Sequence, residues 1–328
     1  MKIVPIYLFI ILLLNGCVSD APRDNPLDPQ APGFAKKGSL TGRLLVANVL
    51  SGIDEATVTS TADNISVQTD ALGYFSFPWL SSGKQTFICT KENFTADTFS
   101  VSIQTGQKTE IFRNLNGAPV TVSSKIITRK IDQFWPATIY SVDIIAEVID
   151  PNSGGDLDSV WFNVDSMMFP LSEPSGTSKY FTRTLDKGDF PTNTIDFLRG
   201  RKLYIISRDE NKAINKSESF SITNIIEDAA EPVSPINNAT VKADSISFHW
   251  SQPIVQFNYT YTIIISRIIS GIPTLVQTYT NVNSFYQDYP IDGSMLSFQD
   301  KGVYVWAVAI VDDFGNYSRS KEYSFTVE

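Results

Sequence analysis

The sequence predicts an all-β protein, built as three tandem β-sandwich domains behind an N-terminal export segment. Short β-branched and aromatic runs recur along the chain, as in Thr57-Val58-Thr59, Tyr74-Phe75-Ser76-Phe77 and Ser245 to Trp250. Gly, Asn, Asp and Pro bound these runs, the residues that turn a chain back on itself. No stretch sustains the apolar period of an amphipathic helix. A length of 328 residues fits two or three domains at roughly 100–200 residues each.

Composition narrows the function classes. The formal charge is −9, with 42% hydrophobic and 19% charged residues. That mixture fits neither an apolar membrane bundle nor a highly charged disordered chain. The acidic balance argues against nucleic acid as a partner, because phosphates select a basic face. Two cysteines make no disulfide-rich scaffold. The single histidine, His249, rules out a multi-His metal site within one chain.

The elements follow in chain order. Lys2 precedes an apolar run from Ile3 to Leu14, 12 residues interrupted only by Pro5. At about 1.5 Å per residue, a helix of that length cannot cross a bilayer core of about 30 Å. The run reads as the apolar region of a signal peptide. Leu14-Asn15-Gly16-Cys17 follows it and resembles the lipobox of bacterial lipoproteins, with Asn15 a mild departure. The resemblance implies cleavage before Cys17 and lipidation of that cysteine. Two or more acyl chains anchor a protein stably in a membrane. Val18 in place of Asp implies, by the same resemblance, sorting to the outer membrane, on its periplasmic or cell-surface side. Residues 17–37 then form a tether. Four prolines within residues 18–37 prevent helix and disfavour sheet.

Residues 38–116 are expected to form the first sandwich. Gly42 in a first strand, Ala56-Thr57-Val58-Thr59, and Thr69-Asp70-Ala71-Leu72-Gly73-Tyr74-Phe75-Ser76-Phe77 resemble the carboxypeptidase regulatory-like domains, a transthyretin-like fold. Glu55 and Asn93-Phe94 depart from that pattern. Asp70 is placed to cap the turn, Gly73 to adopt a backbone angle other residues avoid, and Phe75 and Phe77 to enter the core. Cys89, on a strand, reads as a buried, inert thiol.

Residues 117–229 carry strand candidates at Tyr140 to Ile149, Ser159 to Val164 and Leu203 to Ser207, and resemble an immunoglobulin-like domain. Trp250 in an early strand, Tyr304-Val305-Trp306-Ala307-Val308, a Gly315-Asn316 turn and the last strand Tyr323 to Val327 make residues 230–328 resemble a fibronectin type III domain. Trp250 and Trp306 are then core residues.

Motifs for catalysis are missing: no Gly-x-Ser-x-Gly, no P-loop and no dinucleotide turn occurs. The chain therefore reads as a non-enzyme that needs no cofactor, calcium apart. Asp150, Asn152, Asp156 and Asp158 fall in one Gly-rich loop and offer the oxygens calcium accepts, outside EF-hand spacing. A polar hairpin loop is the alternative. Asp312, Asp313 and Asn316 form a second acidic turn. Phe285, Tyr286 and Tyr289 cluster in a loop-like stretch, suited either to stacking on sugar rings or to packing against the sandwich edge. The expected role is a lipid-anchored, non-catalytic envelope protein serving as a spacer, adhesion or protein-binding module. Its partners are then the membrane through the anchor, and envelope proteins or carbohydrate. A glycan-binding accessory lipoprotein of a polysaccharide-uptake system is the alternative.

Overall fold

The computed structural model describes residues 28, 30–31, 36–135, 137–174, 179–243, 245–292 and 301–328. Cys17 and the apolar run lie outside the described residues. The chain divides into two compact units, one ending at Gly117 and one running from Ala118 to Glu328.

The first unit contains β1 (Lys37–Val46), β2 (Thr57–Ser60), β3 (Ile65–Gln68), β4 (Tyr74–Ser81), β5 (Gly83–Thr90), β6 (Asp97–Ile103) and β7 (Lys108–Leu115). They form two sheets, ordered β4-β1-β7 and β3-β2-β5-β6. Strict alternation along β1 buries Leu40, Leu44 and Val46 between them. Phe75, Phe77, Phe87 and Phe99 run through the core with successive ring centroids 6.1, 5.5 and 5.3 Å apart. Cys89 is a free, buried thiol, and burial pushes its pKa up to about 12, which leaves it unreactive.

The turn before β4 is built as its sequence predicts. Asp70 Oδ1 accepts the backbone N–H groups of Leu72 and Tyr74 at 3.0 and 2.8 Å. Gly73 has φ +83°, and a Cβ there would meet the Leu44 carbonyl oxygen at 2.2 Å. Replacing Gly73 by Ala therefore adds both left-handed strain and a backbone clash. A loss of about 1–3 kcal/mol is expected, read as a lower melting temperature of this unit. An unchanged melt would show that the turn relaxes freely.

The second unit begins with β8 (Val120–Ile131), β9 (Ile139–Ile149), β10 (Leu157–Val164), β11 (Met167–Pro170), β12 (Tyr180–Asp186), β13 (Leu203–Asp209) and β14 (Ile214–Lys216). It continues with β15 (Pro232–Ser234), β16 (Ala239–Val241), β17 (Ser245–Trp250), β18 (Tyr259–Ile269) and β19 (Ile272–Asn283). It ends with β20 (Asp288–Asp292), β21 (Gly302–Asp312), β22 (Tyr317–Arg319) and β23 (Tyr323–Val327). Two hydrophobic clusters lie within it. One is centred on Val142, Ile144, Phe162 and Ile205; the other on Phe248, Trp250, Tyr261 and Trp306. Both tryptophans are buried, and Trp306 Nε1 donates to the Pro235 carbonyl at 2.7 Å.

A connection that sequence reasoning did not anticipate joins these clusters. β22 pairs in parallel with β8, Tyr317 opposite Arg129 and Arg319 opposite Ile131. This pairing makes one nine-stranded sheet that serves both sandwiches. The four-stranded sheet β11-β10-β13-β14 and the three-stranded sheet β15-β17-β20 complete them. Within this frame β9 ends at Ile149, and β10 and β13 run side by side, which places three acidic residues at one end of a sandwich.

Candidate functional site

The loop after β9 starts at Asp150 and closes through a 3-10 turn, Gly154–Asp156, into β10. Asp150 Oδ1 accepts the Asn152 backbone N–H at 2.8 Å, which folds the loop inward. β10 pairs antiparallel with β13, and Leu157 stands opposite Asp209. The Glu210 N–H donates to the Asp156 carbonyl at 2.8 Å and extends the ladder to the loop. Strand register thus carries Asp209 to the side of Asp156.

The carboxylates of Asp150, Asp156 and Asp209 converge, with one oxygen from each within 4.8 Å of the others. All three are buried. Asp156 accepts Asn152 Nδ2 at 2.8 Å and Asn211 Nδ2 at 3.3 Å. Asp209 Oδ1 accepts the Ala213 N–H at 2.7 Å. Asp150 Oδ2 is sealed from solvent and has no hydrogen-bond partner. Burial raises the pKa of Asp150 to about 6, and the charges of Asp156 and Asp209 push in the same direction.

The residues predicted from sequence divide here. Asp150 and Asp156 lie together, and Asn152 donates its amide N–H to Asp156 beside them. Asp158 does not join them. It lies at an irregularity of the β10–β13 ladder between Leu157 and Ser159, where the strand admits an extra residue. Its side chain is exposed and accepts Arg208 Nε at 2.7 Å. Asp209 was missed, because it lies at the end of a strand candidate 53 residues beyond Asp156. The Asp just past Leu203 to Ser207 was the available signal.

Three buried carboxylates form a hard, oxygen-only donor set. Calcium takes oxygens at about 2.3–2.6 Å, so two ligands on one ion stand up to about 5 Å apart. The spacing of the three oxygens fits that limit.

The second acidic turn serves packing. Asp312 Oδ1 accepts the N–H groups of Phe314 and Asn316, and Oδ2 accepts Asn316 Nδ2 at 2.8 Å. Asn316 is fully buried and bridges to Thr128 and Thr223. The aromatic cluster also divides. Tyr289 lies on β20, opposite Phe248, and packs its ring 5.3 Å from Tyr279. Phe285 and Tyr286 stay exposed, at 89% and 54%. His249 faces solvent on β17.

No family model matches the chain, and no curated protein matches it. Solved structures match it only at low similarity. The major pilin subunit BcpA of Bacillus cereus is 13% identical with a TM-score of 0.31, over 86% of this chain and 91% of that one. The FN1–FN3 domains of chicken CNTN1 are 8% identical with a TM-score of 0.30, over 84% of this chain and 92% of theirs. A putative carbohydrate binding protein from Bacteroides uniformis is 10% identical with a TM-score of 0.23, over 56% and 97%.

Proposed function

We propose that the chain is a non-catalytic module of the bacterial cell envelope, anchored in the outer membrane through lipidated Cys17 and serving as a spacer, adhesion or protein-binding element. The observation that supports this reading best is the build of residues 118–328. One nine-stranded sheet serves two sandwiches, so the joint between them is a β-ladder instead of a loose linker. Such a unit can hold a distal surface away from a membrane, while the Pro-rich segment supplies reach. In this reading Asp150, Asp156 and Asp209 hold calcium and stiffen the end of the first of these two sandwiches.

The anchor is tested by Cys17→Ala. The variant is expected in the soluble envelope fraction, with the unaltered chain in membranes. Retention of the variant in membranes would overturn the anchor.

The second reading is a glycan-binding accessory lipoprotein of a polysaccharide-uptake system. The exposure of Phe285 and Tyr286 favours it, since aromatic faces held out on loops stack on sugars. Retention of the chain on an insoluble polysaccharide, lost in Phe285→Ala, would promote this reading over the first.

A further inference from the structure

The outward face of the three-stranded sheet in the first unit carries a second aromatic feature, and it is a groove. Its volume is about 670 Å³, in the range of small-ligand sites. The register of β1 against β4 and β7 explains its composition. Arg43 stands opposite Tyr74 on one side and opposite Phe112 on the other. One residue pair further, Thr41 stands between Ser76 and Glu110. The face therefore presents a row of ring, guanidinium and ring, beside a row of hydroxyl, hydroxyl and carboxylate. Tyr74 and Phe112 are 49% and 69% exposed, although both sit in regular strands. They lie two strand spacings apart, about 10 Å.

The electrostatics single out the centre of the row. Arg43 Nε donates to the Leu72 carbonyl at 2.7 Å, and the guanidinium sits 4.9 Å from the centre of the Tyr74 ring. Both contacts fix the group without neutralising it. Among the described residues no carboxylate pairs with Arg43. The nearby acids are engaged elsewhere: Glu110 with Lys108 at 2.6 Å, and Asp70 with the backbone of its own turn. Arg43 thus stays without a carboxylate partner among the described residues of a chain of net charge −9, held in place between two exposed rings.

We propose that this groove binds an oligosaccharide that carries carboxylates, a polyuronate type of glycan. The rings of Tyr74 and Phe112 cover the apolar faces of two sugar residues. The free N–H groups of Arg43 take a sugar carboxylate by charge-assisted hydrogen bonds. Thr41, Ser76 and Gln68 offer partners to ring hydroxyls. The inference goes beyond the spacer and adhesion reading. It shares no residue with the calcium centre or the Phe285–Tyr286 loop, so each can fail alone.

The test uses the full chain in mild detergent and three probes: polygalacturonate, alginate and hyaluronate. Methyl-esterified polygalacturonate serves as the charge-free control. Binding is read by calorimetry and by retardation in glycan-containing gels. The chain is expected to bind at least one of the three acidic polymers. Esterification and Arg43→Gln should each weaken binding about ten-fold or more, the range for a lost charged hydrogen bond. Phe112→Ala should weaken binding similarly, with an unchanged melting temperature, because its ring is exposed. No binding to any of the three acidic polymers would overturn the proposal. So would binding that survives both substitutions, or binding abolished only by Phe285→Ala.

Discussion

Saturating calcium is expected to raise the melting temperature of the 118–328 unit by about 5–10 °C, and EDTA is expected to reverse the rise. An ion that binds only the folded state stabilises it by about 2.7 kcal/mol at one hundred times its dissociation constant. A unit of this size gains about 2–4 °C per kcal/mol. The physical source is the buried acidic cluster. Without an ion, Asp150, Asp156 and Asp209 repel one another, and the sealed Asp150 Oδ2 has nothing to bind. With an ion, repulsion becomes coordination. Asp150→Asn separates the two effects. It removes one charge from the cluster while an amide oxygen remains to accept the Asn152 N–H. This variant should melt higher than the unaltered chain in EDTA and should lose most of the calcium response. Asp158→Asn should keep the full response, because Asp158 pairs with Arg208 outside the cluster. Equal melts with calcium and with EDTA would overturn the metal reading, whatever the fate of the anchor.

Asn316→Ala is expected to cost about 3 kcal/mol. The Asn316 side chain accepts the Thr128 backbone N–H at 2.9 Å. Its amide donates to Thr223 Oγ1 at 2.7 Å and to Asp312 Oδ2 at 2.8 Å. Truncation leaves the Thr128 N–H buried without a partner, removes a donor from the buried Asp312 carboxylate and frees the exposed Thr223 hydroxyl to water. Each orphaned buried group costs about 1–3 kcal/mol. A drop of about 6–12 °C should follow. The location adds a second consequence. Thr128 lies on β8 and Asn316 just before β22, the two strands that join the sandwiches. Their uncoupling should split one calorimetric transition into two. A single transition with a shift below about 2 °C would show that the β8–β22 ladder alone couples the sandwiches.

These two sites differ in how far they could be read in advance. Asp150, Asn152 and Asp156 were legible because they sit in one short loop, where spacing along the chain approximates spacing in space. Asp209 was not, because its position depends on the pairing of β10 with β13. Asp158 looked equivalent to Asp156 two residues earlier, yet an extra residue in the ladder turned it outward to Arg208. Asn316 reads in the sequence as part of an acidic turn; its reach to Thr128, 188 residues away, follows only from the sheet. The aromatic cluster divides for a related reason. Tyr289 belongs to β20, and strand alternation takes its ring against Tyr279 while Phe285 and Tyr286 stay outside.

The amino-acid sequence by itself determined the all-β class, because period-two burial and turn residues are local properties, visible in β1 and in the Asp70–Gly73 turn. It also determined that Phe75, Phe77, Trp250 and Trp306 are core residues, since alternation places each on the apolar face of its strand. The tertiary structure alone decided the rest: the acidic cluster at Asp209, the sheet shared through β8 and β22, and the Tyr74–Arg43–Phe112 row. Each of these is a matter of which strands become neighbours and in what register. A one-residue slip in register exchanges the two faces of a strand, so such juxtapositions belong to the assembled sheets and not to any single segment.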